Sequence, residues 1–118
     1  MPEISEVKLT AEFVTETNKN RLIEEVLFLK TNKLKLIEEI DLKGKKISAQ
    51  SRGKELKLFF DKQPVVISLG MTGCFKNFKK RGYKNKHWKH GHIRVRMSDN
   101  TWFCWSDVRR FGKSISKD

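Results

Sequence analysis

The chain has 118 residues, enough for one domain with a single modest core. Its 26 Lys and Arg against 14 Asp and Glu leave a net charge of +12, which favours a polyanionic partner, nucleic acid first and an acidic membrane surface second. With two cysteines, no secretory signal and no apolar run of transmembrane length, the composition excludes a disulfide scaffold and a membrane-spanning protein and predicts an intracellular one.

The first segment predicts an amphipathic helix from Pro2 to about Asn18. Proline suits the first helical position because its fixed φ matches the turn and its missing N–H would be unpaired there anyway. The apolar residues that recur at helical spacing are Ile4, Val7, Ala11 and Val14. Glu3 and Glu6 lie three residues apart on the first turn, where the helix dipole stabilises carboxylates.

Pro2 can also be interpreted as a reactive amine at the start of the chain. If Met1 is removed, Pro2 has a free secondary amine that titrates near neutral pH, and amines of this kind form Schiff bases with help from a nearby carboxylic acid. With Met1 attached, the same nitrogen is an amide and cannot react. The alternative reading is that Pro2 and Glu3 do no more than begin a helix.

Short alternating or apolar runs after the helix predict strands. They are Arg21–Lys30, Lys46–Ser51, Glu55–Phe60, Pro64–Leu69, Cys74–Phe78, His92–Met97 and Thr101–Trp105. Lys33–Leu42 fits a short helix or a strand, and the chain after Gly112 is expected to be a polar end. One helix and seven or eight strands predict an α+β, mostly β fold: an eight-stranded β-sandwich or closed pseudo-barrel, capped by the N-terminal helix.

Charge is distributed unevenly along the chain. Eleven of the 14 acidic residues lie within the first 61 positions, and none lies between Lys62 and Ser98. The segment from Lys62 to Ser98, Lys62 included, holds ten Lys or Arg residues and all three histidines, and it includes a basic loop from Lys79 to Lys89. We therefore expect one strongly cationic face that attracts polyanions.

Three segments place residues suited to nucleic acid beside glycines. Lys54, in Arg52-Gly53-Lys54, can neutralise a phosphate that approaches the backbone closely, although in isolation a solvated turn lysine is the better explanation. Met71, between Gly70 and Gly73, is either core filler or a projecting side chain. Phe111, beside Arg110, raises the same alternatives, because apolar wedges flanked by arginines can unstack a duplex.

The histidines and cysteines do not form a recognisable metal site. The candidates are His87, His90, His92, Cys74 and Cys104. Their spacing matches no common structural zinc site, so no metal is predicted and His90 and His92 are expected to donate to phosphates instead. Among the tryptophans, Trp102 and Trp105 should face opposite sides of one strand with one of them in the core, and Trp88 is the plausible exposed contact for a base.

Five of these motifs occur together in the order of a known family. They are Met1–Glu6, Arg52–Lys54, Leu69–Gly73, His90–His92 and Asp107–Gly112. In this respect the chain resembles the N-terminal domain of the formamidopyrimidine-DNA glycosylase and endonuclease VIII family over nearly its whole length. The runs from Arg52 to Leu56 and from Asp107 to Gly112 resemble the animal endonuclease VIII-like branch most closely.

The resemblance implies a bifunctional DNA glycosylase and AP lyase of base excision repair, without a cofactor. Pro2 would attack C1′ of the damaged nucleotide and form an iminium, with Glu3 as general acid and base. Glu6 would support the N-terminus, and Lys54 would hold a phosphate beside the lesion.

The remaining implied contacts are to duplex DNA that contains damaged bases or abasic sites. Met71, Arg109 and Phe111 would fill the gap left by a flipped-out base, whose extrusion costs a few kcal/mol. Phosphate contacts would come from His90, His92, Arg94 and Arg110.

The chain also departs from the family pattern. Ser5 stands where proline is usual, and Ser68 replaces a histidine common in bacterial members. Residues 1–118 would be the catalytic domain alone, without the second domain that carries a helix-two-turn-helix and a finger and forms half of the DNA cleft. We expect a nuclear location, or any compartment that holds DNA. The alternatives are a non-catalytic DNA-binding module and a truncated chain that self-associates through apolar surface.

Overall fold

A computed structural model describes residues 4–28, 41–68, 73–80, 85, 88, 91–107 and 114–117. Helix α1 spans Ile4–Thr17. The strands are β1 (Ile23–Phe28), β2 (Ile47–Arg52), β3 (Glu55–Phe60), β4 (Gln63–Ser68), β5 (Gly73–Phe78), β6 (Gly91–Met97), β7 (Trp102–Asp107) and β8 (Ser114–Lys117). No described helix is long and apolar enough to cross a membrane.

The strands form two four-stranded antiparallel sheets. Sheet A has the order β1-β6-β7-β5 and sheet B the order β2-β3-β4-β8. The predicted eight-stranded sandwich with an N-terminal helix is confirmed, whereas the closed-barrel alternative is wrong because the described strands pair into two separate sheets. The segment after Gly112, predicted only as a polar end, includes a strand: Ser114–Lys117 pairs with β4 as β8. Most of the ambiguous segment Lys33–Leu42 lies outside the described residues.

The core lies between the two sheets and follows from the alternation of side chains along each strand. In β3, Leu56, Leu58 and Phe60 are buried while the residues between them are half-buried. In β6, burial alternates in the same way from Ile93 to Met97, so the predicted half-buried strand is confirmed there. Helix α1 adds its own apolar face to this core, through Val7, Ala11 and Val14.

Helix α1 packs along β2, one of the two edge strands of sheet B. The Thr15 hydroxyl donates to the carbonyl of Ala49 and accepts from the N–H of Ala49, both at 3.0 Å. These are the backbone groups that an edge strand leaves without a neighbouring strand. Thr15 therefore fixes the helix against the sheet and protects the edge.

Replacing Thr15 with valine is expected to lower the free energy of unfolding by about 1–3 kcal/mol, because the N–H and carbonyl of Ala49 lose their partner. Thr15→Ser is the matched control, since serine keeps the hydroxyl and should cost less. Urea denaturation of both variants measures the difference. Valine keeps the methyl group and serine keeps the hydroxyl, so a smaller loss for valine than for serine would show that the methyl group, and not the hydroxyl, stabilises the helix.

A buried arginine ties the end of α1 to sheet A. Arg21 Nη2 donates to Asn18 Oδ1 at 2.7 Å and to Asn77 Oδ1 at 3.1 Å, while Nη1 contacts the Thr101 hydroxyl and lies 3.3 Å from Asp99 Oδ2. Arg21 is only 7% exposed. One side chain thus joins the helix end, β5 and the β6–β7 hairpin.

The Asp99 carboxylate balances this charge at the surface. Burial acts to raise its pKa, but hydrogen bonds from the Thr101 hydroxyl and backbone N–H, together with the Arg21 charge, outweigh burial. The pKa of Asp99 is therefore lowered from the ordinary value of 3.8. Asp99 remains ionised at neutral pH and holds both Arg21 and the hairpin turn.

Candidate nucleic-acid interface

The β2–β3 turn presents Lys54 to solvent. Arg52 pairs with Glu55 across the hairpin, and their side chains form an ion pair of 3.5 Å. Between them, Gly53 has a φ of +60°, and a Cβ built on it would meet nothing within 4 Å. Glycine is thus required by the turn's conformation and not by lack of space. Lys54 is exposed, and the open backbone beside it leaves room for a phosphate.

Two surface grooves show how α1 runs relative to β2. One groove is lined by Lys8 and Glu12 of the helix and by Gln50 and Ser51 of the strand. The other is lined by residues at the end of the helix and by Lys46, Ile47 and Ser48. The helix and strand are therefore antiparallel, and the first turn of α1 lies at the same end as the Lys54 turn.

Strand register brings the other motifs to this end. In sheet B, Glu55 pairs with Ser68, and Ser68 pairs with Ser114. In sheet A, Gly73 pairs with Asp107, and Gly91 pairs with Ser106. The chain leaves β4 at Ser68 and re-enters at Gly73 in the other sheet, so these strand ends belong to one end of the sandwich, which we call the motif end.

The predicted site residues can now be placed relative to the motif end. Glu6 is exposed on the first turn of α1, and Lys54 is exposed in its hairpin. The other predicted residues lie outside the described residues. They are Pro2, Glu3, Met71, His90, Arg109, Arg110 and Phe111. His92 belongs to β6, at a register shift between Gly91 and Ile93, and only its backbone is described.

Trp88 contradicts its predicted role as an exposed base contact. It is 2% exposed and packs edge-on against Trp102, with ring centroids 5.3 Å apart, and against Phe78 at 5.7 Å. Trp105 lies in the sandwich core and Trp102 on the outer face of sheet A, so the two do face opposite sides. Both are buried. Trp102 is buried because Trp88 covers it on the outer face of sheet A, which the sequence pattern predicted to be exposed.

Arg94 points to the same outer face. Its guanidinium carbon lies 5.3 Å from the centroid of the Trp88 ring, and the side chain is half-buried. Sequence reasoning found the cation but not the ring beneath it, because the two are brought together only by folding of the basic loop. Cys104 is buried in β7, and no group of three or more metal-ligating side chains occurs among the described residues.

Comparison with known families gives one match over nearly the whole chain. Residues 1–114 match the family described as "Formamidopyrimidine-DNA glycosylase N-terminal domain". The formamidopyrimidine-DNA glycosylase of Wolbachia pipientis from Culex pipiens is 35% identical over 98% of this chain and 43% of its own length. The enzyme of Legionella pneumophila strain Philadelphia 1 is 31% identical over 100% of this chain and 43% of its own length. The chain thus spans less than half the length of these relatives.

Solved structures confirm the fold. The chain superposes on the structure of MutM in complex with DNA containing carbocyclic 8-oxo-G with a TM-score of 0.73 and 21% identity, over 98% of this chain and 44% of that one. Lactococcus lactis formamidopyrimidine-DNA glycosylase bound non-covalently to DNA with an AP site gives a TM-score of 0.67 and 20% identity, over 98% and 45%. The relatives named here are bacterial and do not support the predicted closeness to the animal branch.

Proposed function

The chain belongs to the formamidopyrimidine-DNA glycosylase family, and from this premise we propose that it is the N-terminal catalytic domain of a DNA glycosylase and AP lyase that removes oxidised bases. The observation that supports the proposal most directly is that the strand ends next to the sequence motifs all lie at the motif end of the sandwich. Two of the proposed residues, Glu6 and Lys54, are exposed there. The chain would act wherever DNA is held, and kinship with the animal branch remains a prediction.

The chemistry begins with the Pro2 nitrogen. After removal of Met1, its lone pair forms a bond to C1′ of the damaged nucleotide. The bond from C1′ to the base breaks, and the electron pair leaves with the base, which accepts a proton. The attached nitrogen then loses its proton and the C1′–O4′ bond breaks, so that O4′ takes up a proton and an iminium forms at C1′. Loss of a proton from C2′ allows the 3′ phosphate to be eliminated.

Glu3 and Lys54 assist different steps. Glu3 transfers protons during base release and ring opening. Lys54 holds a backbone phosphate and so places C1′ near the amine. Glu6, on the first turn of α1, supports the N-terminus through its negative charge.

Access to C1′ requires the damaged nucleotide to leave the stack. Met71, Arg109 and Phe111 would occupy the gap, and extrusion costs least for a damaged base, so such plugs contribute to selectivity. His90, His92 and Arg110 would add phosphate contacts without sequence preference. A second domain bearing a helix-two-turn-helix would supply the other wall of the cleft.

Borohydride trapping tests the proposal. A protein with Met1 removed, verified by intact mass, is mixed with duplex DNA that contains one abasic site and reduced. A covalent protein–DNA adduct supports the enzyme. Salt-dependent DNA binding without any adduct would support a non-catalytic DNA-binding module instead, and self-association by light scattering without DNA binding would support the truncated-chain alternative.

We expect Lys54→Gln to weaken binding to abasic-site DNA and to lower the slope of log K against log salt by about 0.9, because one phosphate contact is lost. Lys62→Gln is the matched control. Lys62 is also an exposed turn lysine, but it lies in the β3–β4 turn at the opposite end of the sandwich. Anisotropy titrations from low to moderate salt measure both slopes. Equal loss in the two variants would mean that Lys54 contributes only general charge.

A further inference from the structure

Two arginines occupy successive outward positions of β6 but have different surroundings. Arg96 Nε lies 3.2 Å from Glu25 Oε2, and its Nη1 lies 3.2 Å from Asn100 Oδ1. Its charge is therefore largely balanced within the protein. Arg94 makes no ion pair with any carboxylate among the described residues, and its Nε is buried without a hydrogen-bond partner there.

Trp88 determines how Arg94 is held. The Trp88 ring is fixed by edge-on contacts with Trp102 and Phe78, and Arg94 lies over that ring at 5.3 Å. Trp88 belongs to the basic loop between β5 and β6, whereas Trp102 lies in β7. The same contacts therefore attach the loop to sheet A and orient the arginine.

A guanidinium held over an aromatic ring is well suited to bind phosphate. The attraction to the ring face is electrostatic and uses none of the guanidinium N–H donors, which can therefore bond to an anion. In Arg94 only Nε is buried, so the two Nη atoms remain available as donors. Because the side chain is already ordered by the ring, binding of a phosphate costs little additional conformational entropy.

We infer that Trp88 is a positioning residue that holds Arg94 as a preorganised phosphate donor, extending the DNA-binding surface from the motif end onto the outer face of sheet A. The ligand is a backbone phosphate of nucleic acid. The inference rests on the proposed DNA-binding function and adds a residue that the family motifs do not contain.

The test compares matched arginine variants by anisotropy with an abasic-site duplex over a range of salt. Arg94→Gln is expected to weaken binding on the order of tenfold and to lower the salt slope by about 0.9. Arg96→Gln, two residues along the same face, should leave the slope unchanged because Arg96 is already paired. Trp88→Leu should reproduce the effect of Arg94→Gln, and Trp88→Phe should restore most of the affinity.

The double variant Trp88→Leu/Arg94→Gln shows whether Trp88 affects DNA binding by positioning Arg94 or only by stabilising the fold. If Trp88 acts through Arg94, the double variant binds no more weakly than Arg94→Gln alone. Additive losses of DNA affinity in the double variant, or equal salt slopes for the Arg94 and Arg96 variants, would overturn the inference. The proposed DNA-binding function would still stand in that case, provided that the wild-type chain binds DNA. Absence of salt-dependent binding by the wild-type chain would overturn both.

Discussion

Compared with the form that begins at Pro2, a protein that keeps one residue before Pro2 is expected to show no borohydride trapping of abasic-site DNA. Its DNA affinity should be unchanged. The extra residue converts the Pro2 nitrogen into an amide, whose lone pair is delocalised into the carbonyl and cannot attack C1′. The phosphate contacts proposed for Lys54 and Arg94 lie elsewhere and should persist. Adduct formation is measured by denaturing gel electrophoresis, and affinity by anisotropy on the same preparations.

The control is the same extended protein after a specific protease has exposed Pro2. Trapping should return, since nothing else in the sequence has changed. Continued trapping by the extended chain would identify another amine as the nucleophile. The candidates are the α-amine of the added residue and Lys54, because lysines also form Schiff bases and this one is exposed at the motif end.

Replacing Arg21 with methionine is expected to lower the free energy of unfolding by about 3 kcal/mol, the largest effect on stability predicted for a single residue here. The change removes a buried cation that donates to Asn18 and Asn77 and is paired with Asp99. Methionine fills much of the same volume, so the loss measures the polar network more than packing.

Arg96→Met is the matched comparison for Arg21. Its ion pair with Glu25 is similar in length, 3.2 Å against 3.3 Å, but the Arg96 side chain is 33% exposed and that of Arg21 only 8%. Solvent weakens the Arg96 pair, so its loss should cost below about 1 kcal/mol. Urea unfolding of both variants checks the difference. Equal losses would mean that the Arg21 network contributes no more than a surface ion pair.

The elements predicted correctly from the sequence are those in which neighbouring residues determine the local structure. The apolar repeat through Val7, Ala11 and Val14 predicted α1, and Gly53 predicted the turn that presents Lys54. The alternation from Ile93 to Met97 predicted a strand with cations on its outer face. These features depend on near neighbours in the chain, so the local pattern carries the information.

Features that depend on distant residues were missed. Trp88 is surrounded by charge in the sequence, yet it is buried because it meets Trp102 and Phe78 across the fold. The polar segment Ser114–Lys117 forms a strand because β4 offers it an open edge. Arg21 was predicted only as the start of a strand, and its partners Asn77 and Asp99 lie 56 and 78 residues away.

The sequence by itself determined the cationic character, the helix, the alternating strands and the family to which the chain belongs, since these reside in residue types and short spacings. Only the tertiary structure decided which motifs share one end of the sandwich, because that depends on the registers of Glu55 with Ser68 and Gly73 with Asp107. It also decided which of two similar arginines is left available for an anion. Hydrogen-bonded pairing between distant strands sets both outcomes, and no local pattern encodes that pairing.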